Sequence, residues 1–121
     1  MVTVAESIKL VMDFEEKRLG KRPTDVSGKK RLGYDLESVD RFIEVKKRGI
    51  GYKFVFLTIY ELNFFQKNAN AYLYLVYEKD GKPKVKIFNN KQVNENCKPA
   101  TPRYRFQMKK AIRNGSEELD L

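Results

Sequence analysis

Two short stretches decide the fold expected for this chain: LGYDLE at residues 32–37 and RFIEVKK at residues 41–47. Both are rich in strand-forming residues, and residues 38–40 between them are few enough for a tight turn, so we predict two adjacent strands. Side chains two residues apart on a strand share a face, so Glu44 and Lys46 should point the same way.

The turn should bring a carboxylate of the first strand, Asp35 or Glu37, alongside Glu44 and Lys46. Two carboxylates that converge on one point can hold a divalent cation. A lysine beside them can orient water and stabilise negative charge on a phosphate in the transition state. The pattern therefore indicates a candidate site for metal-assisted chemistry on phosphates.

A helix is predicted from Thr3 to about Arg18. Thr3 and Glu6 form a capping-box pattern at its start, and Gly20 is suited to end it. Its apolar residues recur at helical spacing, and Glu15 falls on that apolar stripe. We expect Glu15 to aim at the same point as the two strand carboxylates.

The central part of the chain continues with signals of comparable strength. In chain order they predict a strand over 52–57, a helix over 58–67 opened by a Thr58/Glu61 capping box, a strand over 71–77 covered on both faces, an Asp80-Gly81 hairpin turn and an edge strand over 84–88. The expected fold is α/β (α+β): a helix, a three-strand meander, a helix and a strand, giving a mixed sheet flanked by helices.

The C-terminal part is predicted less sharply. Residues 103–108 alternate in the manner of a strand, and a short basic helix through residue 113 is the alternative. We expect one domain over residues 1–115 with a β-rich C-terminal extension, and an acidic tail over residues 116–121 that frays.

Composition limits the chemistry that the chain can perform. It has no histidine and a single cysteine, which excludes histidine-dependent triads, histidine- or thiolate-ligated zinc and an internal disulfide. The formal net charge of +9 favours an anionic partner, nucleic acid before a membrane surface. No apolar run approaches the roughly 20 residues needed to span a bilayer, and we expect a cytoplasmic protein that binds no membrane.

Several spaced motifs resemble the NO VEIN C-terminal-like domain. They are VMDFE at 11–15, GKRPTDVS at 20–27, LGYDLES at 32–38, IEVK at 43–46, Leu57-Thr58 with Glu61, and YLYLV at 72–76. Together they cover most of residues 4–90 in one consistent order. The family is described as a domain of unknown function within the PD-(D/E)XK nuclease superfamily, often attached to helicases or restriction-type proteins.

The resemblance implies a restriction endonuclease-like core and a nuclease motif made of Asp35, Glu44 and Lys46, with Glu15 as the first-helix carboxylate. It implies a nuclease that depends on Mg²⁺ or Mn²⁺ and cleaves phosphodiester bonds, with DNA expected as substrate. Asp35, Glu44 and the carbonyl of Val45 would be the metal ligands. The alternative is a non-catalytic module that keeps the fold and binds nucleic acid or protein.

Basic residues flank the proposed site along the sequence and could grip phosphates on either side of the scissile bond. The candidates are Lys21, Arg22, Lys29, Lys30, Arg31, Lys47 and Arg48. The same residues would otherwise be a solvated loop surface. We expect either a homodimer or association with a helicase or restriction-type assembly as the larger context.

Overall fold

A computed structural model describes residues 2–49, 51, 53–100, 103–113, 115 and 117–121. The helices are α1 (Val4–Leu19), α2 (Ile59–Lys67), α3 (Asn90–Asn96) and α4 (Met108–Arg113). The strands are β1 (Thr24–Asp25), β2 (Leu36–Glu37), β3 (Phe42–Lys47), β4 (Phe54–Leu57), β5 (Ala71–Lys79), β6 (Lys82–Phe88), β7 (Cys97–Ala100), β8 (Arg103–Gln107) and β9 (Glu117–Asp120). Tyr52, the first residue of the strand predicted over 52–57, lies outside the described residues.

The ends of the first two helices follow their predicted caps. The Thr3 side chain accepts from the Glu6 N–H at 3.1 Å, and Gly20 ends α1 with a φ of 74°. At α2 both halves of the Thr58/Glu61 capping box are formed. Local hydrogen-bonding chemistry was therefore enough to place both helix starts.

A mixed, open sheet in the order β1-β2-β3-β5-β6-β9 is the centre of the fold. β3 runs antiparallel to β2 and parallel to β5, which in turn runs antiparallel to β6. The Asp80-Gly81 turn that joins β5 to β6 has positive φ at both residues, as a tight hairpin requires. The mixed α/β class predicted from the sequence is confirmed.

The predicted three-strand meander is wrong. β4 leaves the main sheet and pairs antiparallel with β8, which also pairs with β7, in a separate three-stranded sheet. The place beside β3 is taken by β5, whose apolar run is buried almost throughout. A strand that is apolar on both faces gains most from the centre of a sheet, whereas β4 buries alternate residues only.

The C-terminal region is more ordered than the sequence indicated. Residues 103–113 form a strand and then a helix, so both alternatives are present in succession, and α3 was not predicted. β6 is not an edge strand, because β9, which lies in the acidic tail expected to fray, pairs with it. Lys84 and Asp120 form an ion pair across this pairing, and Lys79 Nζ lies 3.3 Å from Glu118 Oε1. Lys84 and Lys86 of β6 each pair with an acidic residue of β9, so opposite charges on adjacent strands favour this pairing.

The sheet separates two apolar layers. On one face, α1 packs on a cluster that includes Ile43 and Val45 of β3 and Tyr74 of β5. On the other face, α2 and the second sheet pack around Leu73, Leu75 and neighbouring residues. Side-chain alternation on β3 therefore turns Ile43 and Val45 toward α1, and Glu44 and Lys46 toward α2. None of the described helices is long and apolar enough to cross a membrane.

Candidate functional site

Asp35 is fixed by three hydrogen bonds at the point where β2 begins. Its backbone N–H donates to the Ile43 carbonyl at 2.8 Å, and its own carbonyl accepts from the Val26 N–H at 2.8 Å. Its side-chain Oδ2 accepts from the Val45 N–H, also at 2.8 Å. The carboxylate thus accepts a β3 backbone N–H that a neighbouring strand would otherwise pair. This hydrogen bond directs the Asp35 side chain toward Glu44.

Glu44 lies beside Asp35, and the two carboxyl groups share a hydrogen bond. Only 5% of Glu44 is exposed. Burial raises the pKa of Glu44 well above its usual value, and the carboxylates of Glu61 and Asp35 raise it further. Burial also raises the pKa of Asp35, against the opposing effect of the hydrogen bond from Glu44. We therefore assign the shared proton to Glu44.

Lys46 lies two residues after Glu44 on the same face of β3 and reaches the same site. Its Nζ lies 3.9 Å from Glu44 Oε1 and donates to Glu61 Oε1 and Oε2 at 3.0 and 3.2 Å. Lys46 is thereby held between two carboxyl groups, and the predicted grouping of Asp35, Glu44 and Lys46 is present in the fold.

Glu61 is a member of this site that the sequence did not reveal. It lies in the first turn of α2, where its Oε1 also accepts from the Thr58 N–H at 2.8 Å. That capping role accounted for a glutamate at this position without any further function. The missing signal was three-dimensional, because it depends on α2 packing over the charged face of β3.

The acidic site opens into a cleft of about 380 Å³ with a basic wall. Its lining includes the cations Lys29, Lys30 and Arg31 together with Tyr60 and Glu61 of α2. The wall is held close to α2 at Gly33, where φ is +92° and an added Cβ would lie 2.7 Å from the Tyr60 carbonyl oxygen. Cations therefore line the same cleft as the carboxyl groups of Asp35, Glu44 and Glu61.

Glu15 is not part of this site. It is fully buried on the α1 side of the sheet, opposite the face that carries Glu44. Its oxygens accept from Arg18 at 2.6 and 2.8 Å, from Ser38 Oγ at 3.0 Å and from the Tyr74 hydroxyl at 2.8 Å. The expectation that Glu15 aims at the strand carboxylates was wrong, because the apolar stripe of α1 faces the other side of β3.

Arg18 extends this buried cluster to the turn between β2 and β3. Its guanidinium donates to both oxygens of Asp40, at 2.7 and 3.2 Å. Hydrogen bonds to Glu15 and Asp40 raise the pKa of Arg18, so the guanidinium stays charged. The cluster ties α1 to the turn that joins the two strands of the acidic site.

The predicted phosphate-binding residues divide into two groups. Lys29, Lys30 and Arg31 line the cleft. The others are placed elsewhere. Lys21 and Arg22 follow α1, and Arg22 pairs with Asp13 at 2.7 Å and with Glu16 at 3.1 Å. Lys47 is the last residue of β3 and Arg48 follows it, and neither lines the cleft. The structure thus brings only the middle basic stretch to the acidic site.

The donor atoms available to a cation are few. Asp35 and Glu44 offer carboxyl oxygens. The Val45 carbonyl lies on the same edge of β3 as the Ile43 carbonyl, since backbone groups alternate along a strand. Within the described residues, no group of three or more acidic, cysteine or histidine side chains is arranged to hold a metal ion. Any cation here would keep other ligands besides the protein.

Comparison with known proteins gives one finding on identity. The family model described as Protein NO VEIN, C-terminal, matches residues 5–88, more than half of the chain. The chain belongs to this family. The matched range contains Asp35, Glu44, Lys46, Glu61 and the basic wall of the cleft. A search of curated proteins found no match.

Proposed function

We propose that this member of the Protein NO VEIN, C-terminal, family is a metal-dependent nuclease of the PD-(D/E)XK type, with DNA as its expected substrate. The observation that carries the proposal is the hydrogen-bonded pair of Asp35 and Glu44 with the Lys46 ammonium 3.9 Å from Glu44. The order of the elements supports it, since both strands of the site follow α1 and precede α2.

The residues present fit Mg²⁺ or Mn²⁺. The buried Glu44 and the partly buried Asp35, both with raised pKa values, share a proton here, and a divalent cation is the natural replacement for that proton. Asp35, Glu44 and the Val45 carbonyl would hold it, and water or substrate oxygens would complete its coordination. When bound, the metal supplies a lowered pKa for water and neutralises phosphate charge.

Lys46 would orient the attacking water and stabilise charge that develops on the phosphate. Its ion pair with Glu61 holds the ammonium directed at the site. Glu61 acts on the reaction through Lys46 and is therefore a positioning residue.

The basic wall would bind the phosphates that flank the scissile bond. Lys29, Lys30 and Arg31 line the same cleft as the carboxyls, so they can attract a polyanion that the acidic site alone would repel.

A non-catalytic binding module is the second candidate. It is favoured by one observation: Lys46 already has a close partner in Glu61, so the charge of this ammonium is neutralised without a bound phosphate. In that case Asp35 would serve the fold by capping the Val45 N–H.

The test is incubation of the protein with single- and double-stranded DNA and RNA, with and without Mg²⁺ or Mn²⁺. Cleavage that requires the metal supports the nuclease. Lys46→Ala should lower the cleavage rate by about 100-fold or more, as expected for loss of a placed stabiliser of transition-state charge, and leave affinity nearly unchanged. Asp35→Asn should also stop cleavage, with partial rescue by excess Mn²⁺.

Glu37→Gln is the matched control. Glu37 lies two residues from Asp35, and its Oε1 accepts from the Tyr34 hydroxyl at 2.6 Å instead of joining the acidic pair. This variant should cleave almost as fast as the parent protein. Tight binding of nucleic acid without metal-dependent cleavage of any of these substrates would refute the nuclease and leave the binding module.

A further inference from the structure

An exposed aromatic ring stands at the mouth of the cleft. Tyr60, in the first turn of α2, is 44% exposed. The Arg31 guanidinium carbon lies 5.7 Å from the centre of the Tyr60 ring, on its face. Arg31 has a φ of +62°, a conformation that L residues rarely adopt. The backbone at Arg31 thus places its guanidinium against the solvent-facing Tyr60 ring.

The other tyrosine of the cleft is used in packing. The Tyr34 ring lies 4.9 Å from Phe42 and 4.5 Å from Phe64, centre to centre, and its hydroxyl donates to Glu37. Burial and that hydrogen bond raise the pKa of Tyr34 to about 12. Among the cleft-lining residues, Tyr60 is therefore the ring with a face available to a ligand.

We propose that Tyr60 and Arg31 bind an unpaired base, and that the cleft takes single-stranded nucleic acid. This inference rests on the proposed function, since it names the substrate form of the same site. A flat ring backed by a guanidinium is the arrangement on which unpaired bases stack, and any base can use it. Lys29 and Lys30 beside it supply charge for the neighbouring phosphates.

The depth of the acidic pair supports the same conclusion. Glu44 is only 5% exposed, so a phosphate must enter the cleft to approach it. A single strand can bend one phosphate inward while a base turns toward Tyr60. The paired bases of a duplex are already stacked on one another and would have to be unpaired first.

Binding without cleavage tests the inference directly. A fluorescent oligothymidylate of about 10 nucleotides, a length within the range that one small domain covers, is titrated in EDTA and followed by anisotropy. Tyr60→Ala should weaken binding by about 5- to 100-fold, the loss expected for one stacked base. Tyr60→Phe, which keeps the ring, should bind like the parent.

The ligand provides a second arm that requires no substitution. An abasic oligonucleotide keeps the phosphates but has no ring to stack, so the parent protein should bind it more weakly than oligothymidylate. Tyr60→Ala should have no further effect on the abasic strand. For the cation, Arg31→Ala should weaken binding more than Lys91→Ala, which removes the same charge from an 81% exposed site on α3.

The inference is overturned if a duplex of equal length binds more tightly than the single strand, or if the abasic strand binds as well as oligothymidylate. The titration excludes metal, so its result does not depend on cleavage. Absence of cleavage in the separate incubation with Mg²⁺ or Mn²⁺ would refute the nuclease and leave the binding result intact. Conversely, metal-dependent cleavage of duplex DNA at a rate unaffected by Tyr60→Ala would support the nuclease and refute the stacking site.

Discussion

Replacing Glu15 with alanine should destabilise the protein more than any change of an exposed charge on the same helix. Glu15 is fully buried and accepts hydrogen bonds from Arg18, Ser38 and Tyr74. Removing one member of a buried ion pair typically costs about 3–5 kcal/mol, because its partner stays in an apolar setting without compensation.

The structure places the expected loss at the lower end of that range. The Arg18 side chain is 25% exposed and keeps its second partner, Asp40, so it can recover part of its hydration in the variant. The buried Tyr74 hydroxyl loses the acceptor for its proton. We expect a loss of about 3 kcal/mol, a large fraction of the 5–15 kcal/mol typical of a domain.

Urea unfolding followed by circular dichroism measures this loss. With a slope of about 1.5 kcal/mol per molar, the midpoint should fall by about 2 M. Asp13→Ala is the matched control, since it breaks an ion pair with Arg22 on the exposed side of α1 and should barely move the midpoint. Equal shifts for the two variants would refute the assignment of Glu15 to a buried structural cluster.

Three further predictions concern other features of the fold. In EDTA, the stability contributed by Glu44 should be fully present below its unfolded pKa and lost as pH rises through its raised folded pKa. Thermal melts should therefore show a smaller decline over this pH range for Glu44→Gln than for the parent protein. An unchanged profile would contradict the assignment of the shared proton to Glu44. Gly33→Ala should cost about 2 kcal/mol or more, because of its positive φ and the contact with Tyr60, whereas Gly28→Ala, with open space around it, should leave the melting temperature unchanged. Burial raises the pKa of Cys97 to about 12, so its thiol should react with a disulfide reagent much faster after unfolding than before; equal rates would show that it is accessible.

Much of the acidic site could be predicted from the sequence because it depends on local geometry. Strand alternation puts Glu44 and Lys46 on one face, and a short turn puts Asp35 beside them. Capping boxes placed α1 and α2 for the same reason, since they involve residues three apart. These features needed no knowledge of how distant segments pack.

The errors at the site and in the strand order depend on long-range packing. Glu15 lies on the predicted stripe of α1, but only the packed structure shows that this stripe faces Tyr74 across the sheet from Glu44. Glu61 enters the site because α2 covers the charged face of β3. β4 lies outside the main sheet, where the longer strand β5, buried over most of its length, takes the place beside β3. Propensity and periodicity do not rank such competitors.

The two-sided character of β3 has a consequence for how this domain can change over time. Ile43 and Val45 serve the apolar layer under α1, whereas Glu44 and Lys46 serve the cleft. Replacing a buried charged pair with apolar residues of similar volume is often neutral or stabilising. Ile43 and Val45 should therefore be constrained by folding, whereas under the proposed nuclease function Glu44 and Lys46 would be constrained by activity. Loss of that proposed activity would then need one substitution and would leave a well-folded binding protein.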